Sequence, residues 1–157
     1  MLFLLAAPEY NNVQSNTSKV RVHLRTGVAE IFDQHQDLMG KVENNIIEIE
    51  TNFEGKIEKF VFILQDAVFI VSNQGLDNEE VKGTSIYVYA KKAREINSSV
   101  SIDQISKEYD AKQLEVETQL ANMGDRSNTS TNSKLILLQD DAEFLKKSLS
   151  IIKALRG

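Results

Sequence analysis

Residues 46–71 are the most strand-like stretch of the chain, and from residue 47 to residue 54 apolar and polar side chains alternate with a period of two. Ile47, Ile49, Thr51 and Phe53 fall on one side of an extended segment, and Glu48, Glu50, Asn52 and Glu54 on the other. That pattern predicts a strand with one dry face and one wet face. Gly55 supplies a turn and residues 56–64 return as a second strand. Gln65-Asp66 marks a second corner before the β-branched and aromatic run 67–71. Three such strands need a second sheet over their dry face, and the flanking sequence must provide it.

It does so in short pieces. Residues 2–7 form an apolar strand, ended by Pro8, which has no N–H for a ladder. A polar, asparagine-rich turn is expected over residues 11–18. Residues 19–25 then alternate cleanly, with Val20, Val22 and Leu24 inward. Gly27 breaks that strand, residues 29–32 open a short new one, and residues 33–37 make a polar corner. Residues 38–42 lead into the central strands, residues 73–80 form another corner, and residues 85–90 a last strand. Closely spaced short strands of this kind predict a β-sandwich or flattened barrel.

After residue 100 the period changes. Ser101 and Gln104 have the spacing of a capping box, and Ile102, Ile105, Tyr109, Val116 and Leu120 follow on one helical face. Met123-Gly124 stops that helix, and residues 125–133 read as a loop. A second helix carries Leu135, Leu138, Ala142, Leu145, Leu149 and Ile152 at steps of three and four. Beside them Leu137, Phe144, Ile151 and Leu155 make a second apolar stripe, which needs a surface of its own. The expected architecture is α+β: an N-terminal antiparallel β-sandwich over residues 1–90, a linker over 91–100, and an antiparallel two-helix hairpin over 101–157.

The 157 residues suit one domain or a small domain with an appendage. A net charge of −5 argues against a nucleic-acid partner. The absence of cysteine removes disulfides and thiol chemistry. The opening MLFLLAA lacks a basic flank and is too short for an export signal, so it reads as a first strand. No run is long enough to span a bilayer. Without an export signal, the glycosylation triplets at Asn16, Asn97 and Asn128 are chance matches.

Four segments, in order, carry a resemblance: Ala7-Pro8-Glu9; residues 27–38 (GVAEIFDQHQDL); residues 89–96 (YAKKAREI); and the chain end from Asp141 to Arg156. In sequence and spacing the chain resembles the epsilon subunit of F-type ATP synthases, called delta in mitochondria. The resemblance implies a non-catalytic central-stalk subunit, cytoplasmic and peripheral to the membrane, in a motor linked to proton transport. Its implied partners are a gamma-type shaft subunit, alpha- and beta-type catalytic subunits reached through the hairpin, and a membrane rotor ring. The ring-facing loop would use Glu30, Phe32, Asp33, His35, Asp37 and Leu38, and the hairpin Leu137, Phe144, Ile151 and Leu155.

The departures from the family pattern are specific. Glu30 stands where the family has its second loop glycine, Asp33 and Asp37 where it has prolines, and Gln65-Asp66 where it has a Gly-Gly corner. Acidic, flexible residues thus replace a rigid corner, which opens a second reading: a specialised F-type-like motor driving something other than a proton ring. The Asn-, Lys- and Ile-rich composition suits an AT-rich bacterial genome, including wall-less bacteria. The family's ATP motif is met at Ile102 and Asp103, but Ser106 takes the place of the phosphate-pairing arginine, so no nucleotide or other cofactor is expected.

The remaining chemistry is sparse. His35 with Asp33 and Asp37 could be drawn as a metal site, but a corner histidine hydrogen-bonded within its loop is the expected state. His23 is expected to be solvated. Asp77, Glu79 and Glu80 read as a solvated corner, and Lys91, Lys92 and Arg94 as a salt-bridging surface. No nucleophile elbow or phosphate loop is present, so catalysis by this chain is not expected. A free-standing adaptor, with a ligand-binding β domain and a partner-binding hairpin, is the rival from another class.

Overall fold

The computed structural model describes residues 1–74, 83–123 and 129–157, the side chains of residues 129–131 excepted. They form two compact units, Met1–Ser98 and Ser99–Gly157. The first is a sandwich-like β domain with strands β1 (Leu2–Ala7), β2 (Tyr10–Asn16), β3 (Lys19–Leu24), β4 (Gly27–Ile31), β5 (Leu38–Val42), β6 (Asn45–Phe53), β7 (Lys56–Ser72) and β8 (Ser85–Glu95). Their order is β2-β1-β8-β7-β6-β3-β4, with β5 paired to β7. All pairings are antiparallel except β1 with β8, which is parallel.

Strand β7 ties the layers together. Residues 56–64 pair with β6 and residues 67–71 pair with β5 on the same edge, while β8 runs along the other edge across both stretches. Gln65-Asp66, expected as a corner between two strands, is instead a bend inside one continuous strand. Asp66 takes a φ of 46° there. Inward positions step by two on either side, as Phe62 and Leu64 and then as Ala67, Phe69 and Val71, but by three across the bend. The pairing register runs unbroken through the bend on both edges, and β8 makes the same step of three from Ala90 to Ala93, so both halves of the strand face a single core without an inserted residue.

Other expectations change for similar reasons. The asparagine-rich stretch is strand β2, not a turn, because it pairs with β1 while Tyr10 and Val13 pack against the core. The Tyr10 ring meets Phe62 edge to face at 6.2 Å. Strand β8 continues through Lys91–Glu95, expected as linker, since Lys92, Ala93, Arg94 and Glu95 pair with the first half of β7. On β6, Ile47 and Ile49 are buried as the alternation requires, but Phe53 is 74% exposed. The β6–β7 hairpin projects past the core before closing on Glu54 (φ 51°) and Gly55 (φ 82°), both in the left-handed region that a two-residue primed turn needs.

The second unit is the expected helix pair, α1 (Ile102–Met123) and α2 (Thr129–Arg156). Ser101 Oγ accepts the Gln104 N–H at 3.2 Å, which makes the serine the N-cap. Val116, Leu138 and Ala142 form the buried centre between the helices, with Tyr109 and Leu135 against them. Leu120, expected on the buried face, is exposed. Helix α2 begins at Thr129, inside the stretch expected as loop. Gly124, residues 125–128, Asp77, Glu79 and Glu80 lie outside the described residues.

Candidate functional site

The six residues expected at one end of the sandwich occupy the end of β4, the start of β5 and the loop between them. Glu30 points to the outer face of β4, where its carboxylate lies 3.0 Å from Arg21 Nε. Phe32, 51% exposed, and Leu38 and Met39, 37% and 71% exposed, flank the loop. Gln34 takes a φ of 64°, the turn that the missing prolines do not make.

Two residues that sequence reasoning left unassigned hold this loop. Asn73 ends β7 and Thr84 precedes β8. Asp33 Oδ1 accepts the Thr84 N–H at 3.1 Å, and the Gln34 N–H donates to Thr84 Oγ1 at 2.6 Å. Thr84 Oγ1 donates in turn to Asn73 Oδ1 at 2.7 Å. Asn73 Nδ2 donates to the His35 carbonyl at 2.7 Å and to Asp37 Oδ1 at 3.0 Å, and the Asn73 N–H also reaches Asp37 Oδ1 at 3.1 Å. Gly83, at φ 96°, lets the chain pass close to Asp33: a Cβ there would lie 3.3 Å from Asp33 Oδ1.

The loop expected to be flexible is instead fastened at successive residues. The N–H of Thr84, bonded to the carboxylate, holds the Asp33 carboxyl below the ordinary carboxylate range. His35 behaves as the corner residue expected. Its Nδ1 lies 2.7 Å from the Gln36 carbonyl oxygen, which can only accept, so that nitrogen carries the proton. Among the described residues no cluster of three or more His, Asp or Glu is placed to hold a metal ion.

His23, expected to be solvated, is paired: its Nε2 lies 2.6 Å from Glu48 Oε2, with Arg21 Nη1 3.3 Å from the same oxygen. Lys19 and Lys59 flank Glu50 at 3.6 and 3.7 Å. The wet face of β3, β4, β6 and β7 is thus a ladder of cross-strand charge pairs, a solvated surface rather than a site.

On the hairpin the four expected contact residues part company. Leu137 and Leu155 are each 53% exposed, whereas Phe144 is 3% exposed and Ile151 is half-buried. Phe144 is therefore not a free anchor. Between the helices a groove of about 410 Å³ is lined by Tyr109, Gln113, Val116, Gln139, Ala142, Glu143 and Lys146. Asp103 is exposed in the first turn of α1. Among the described residues no helix is long and apolar enough to cross a membrane.

No family model matches this chain, and no curated protein matches it by sequence. Its fold is similar to that of a chain in the mitochondrial ATP synthase of Euglena gracilis, an assembly of OSCP, F1 and the c-ring. The match covers 94% of this chain and 79% of the other, at a TM-score of 0.56 and 11% identity. A looser match is a chain of the Tetrahymena thermophila mitochondrial ATP synthase central stalk and c-ring, with a TM-score of 0.46, 12% identity, and 94% and 95% of the two chains covered.

Proposed function

We propose that the chain is a non-catalytic rotor subunit in the central stalk of an F-type rotary ATPase, of the epsilon type that mitochondria call delta. The observation that carries this reading is the order of parts, a β-sandwich followed by a helical hairpin, shared over 94% of the chain with a chain of the Euglena assembly. A stalk subunit needs a stiff body and an arm. The sandwich suits the body, because β7 runs through both layers and commits them to one core.

In this role the sandwich grips a gamma-type shaft subunit, and the loop carrying Phe32, His35 and Leu38 faces the membrane rotor ring. The hairpin is a compact unit of its own. Arms of this kind change position when two states differ by only a few kcal/mol, which suits regulation of the alpha- and beta-type catalytic subunits. Leu137 and Leu155 are among the exposed apolar residues it offers to them. The subunit would be peripheral to the membrane, held there by its partners.

The reading is tested by mixing the purified chain with the gamma-type subunit of the same source and measuring association by calorimetry. A one-to-one complex is expected; no binding at micromolar concentrations would turn the assignment towards a free-standing adaptor.

A further inference from the structure

We propose that Asn73 and Thr84 are positioning residues that lock the 32–38 loop into one shape, and that Asp33 and Asp37 serve that shape rather than a partner's charge. Only the identity of the partner rests on the stalk reading above; the lock stands on geometry within the β domain.

Each loop residue from 33 to 37 has a tie. Asp33 and Gln34 are held by Thr84, and the His35 carbonyl and Asp37 carboxylate by Asn73. Gln36 is held by His35 Nδ1. The hydroxyl of Thr84, donated to Asn73 Oδ1, joins the two halves into one network. Thr84 is buried and its carbonyl accepts the N–H of Leu2 at 3.1 Å, so one end of the lock is set in the sheet. Asn73 continues directly from β7, whose residues 71 and 72 pair with β8 at Ile86 and Ser85. The loop is therefore referenced to two neighbouring strands at once.

Both aspartates use Oδ1 as an internal acceptor. An asparagine at either position keeps a carbonyl oxygen in that place and removes only the charge, whereas an alanine removes the acceptor. The two roles, shape and charge, are thus separable at a single residue. A loop held in its bound shape also spares its partner the cost of ordering it, which is how a positioning residue far from any contact raises affinity.

The test compares Asn73→Ala, Asp37→Ala and Asp37→Asn in the full chain. The first readout is amide exchange in the free protein at Gln34 and at position 73. The second is binding to the detergent-solubilised rotor complex of the source cells, stripped of this subunit. Both alanine variants should accelerate exchange about tenfold and weaken binding by a similar factor. Asp37→Asn should stay within about twofold of the unaltered chain in both readouts, since its acceptor remains. All three should keep the thermal transition of the β domain, because Asn73 and Asp37 are exposed.

Unchanged exchange in both alanine variants would overturn the lock. Lost binding in Asp37→Asn with unchanged exchange would show that the partner reads the carboxylate, overturning the second half of the proposal. If exchange responds as expected but the unaltered chain fails to bind the rotor, the lock is supported and the stalk reading fails.

Discussion

Gly40 on β5 lies directly opposite Phe69 on β7, and a Cβ on the glycine would come within 2.6 Å of the ring's Cε1. The Phe69 ring is fully buried and cannot swing away. A residue with no side chain is what lets β5 close over that ring. Gly40→Ala should therefore destabilise the β domain by about 1–3 kcal/mol through overpacking. Urea unfolding of the variant measures it, and Gly40→Ala with Phe69→Leu should recover part of the loss if the ring is the obstacle.

Truncation tests where the β domain ends. Phe62, Ile63, Leu64 and Gln65 pair with β8 at residues 92–95, and the Ile96 N–H donates to the Val61 carbonyl at 2.8 Å. A chain ending at Ser98 should show a cooperative thermal transition. One ending at Ala90 loses that flank of β7 and should melt at a clearly lower temperature. Equal midpoints would mean that the second half of β8 contributes nothing.

Ser101 caps α1 with its side chain, and the Ile105 N–H bonds the Ser101 carbonyl at 3.2 Å. Ser101→Ala should cost the hairpin about 1 kcal/mol. Amide exchange in the first turn of α1 should quicken while exchange in the β domain stays unchanged. A uniform effect across both units would count against an independent hairpin.

Acid should weaken one tie of the corner loop in a definite window. The folded-state value of the Asp33 carboxyl lies below its unfolded value, so its contribution is complete above the unfolded value of about 3.9 and fades as pH falls through the lower folded one. The Thr84 amide should stay protected through mildly acidic solution and lose only the charge-dependent part of its protection below about pH 4, since the protonated carboxyl keeps a carbonyl oxygen as acceptor. In Asp33→Asn that acid limb should vanish from the exchange profile.

Much of the β domain is legible in the sequence because its alternation is strict where one face meets the core, as at Val20 and Val22 or Ile47 and Ile49. It fails where local chemistry and tertiary pairing disagree. The asparagines of β2 look like turn residues, yet that strand lies at the sheet's edge and is held through β1, Tyr10 and Val13. Lys91 and Lys92 look like a linker, yet their backbone continues β8. Gln65-Asp66 carries a genuine break in periodicity, but periodicity alone does not separate a bend within a strand from a corner between two.

The candidate site was legible only in part. The loop stands out as a polar corner between two apolar runs, and the role of His35 follows from its surroundings. Asn73 and Thr84 carried no signal, because an asparagine and a threonine at strand ends are ordinary turn residues. Their meaning appears only when the fold brings them to Asp33, Gln34, His35 and Asp37, which lie 36 to 51 positions away in the chain. The exposure of Phe53 is another such case: the alternation holds to the end of β6, but the core stops before it.

The measurement that bears most directly on the stalk reading is a gentle native purification of the tagged chain from its source, with the co-purifying subunits identified and ATP hydrolysis assayed. Alpha-, beta- and gamma-type subunits in fixed proportion with this chain, together with ATPase activity, are the expected result. Recovery of the chain alone, under conditions that keep other rotary ATPases of the same cells intact, would contradict it.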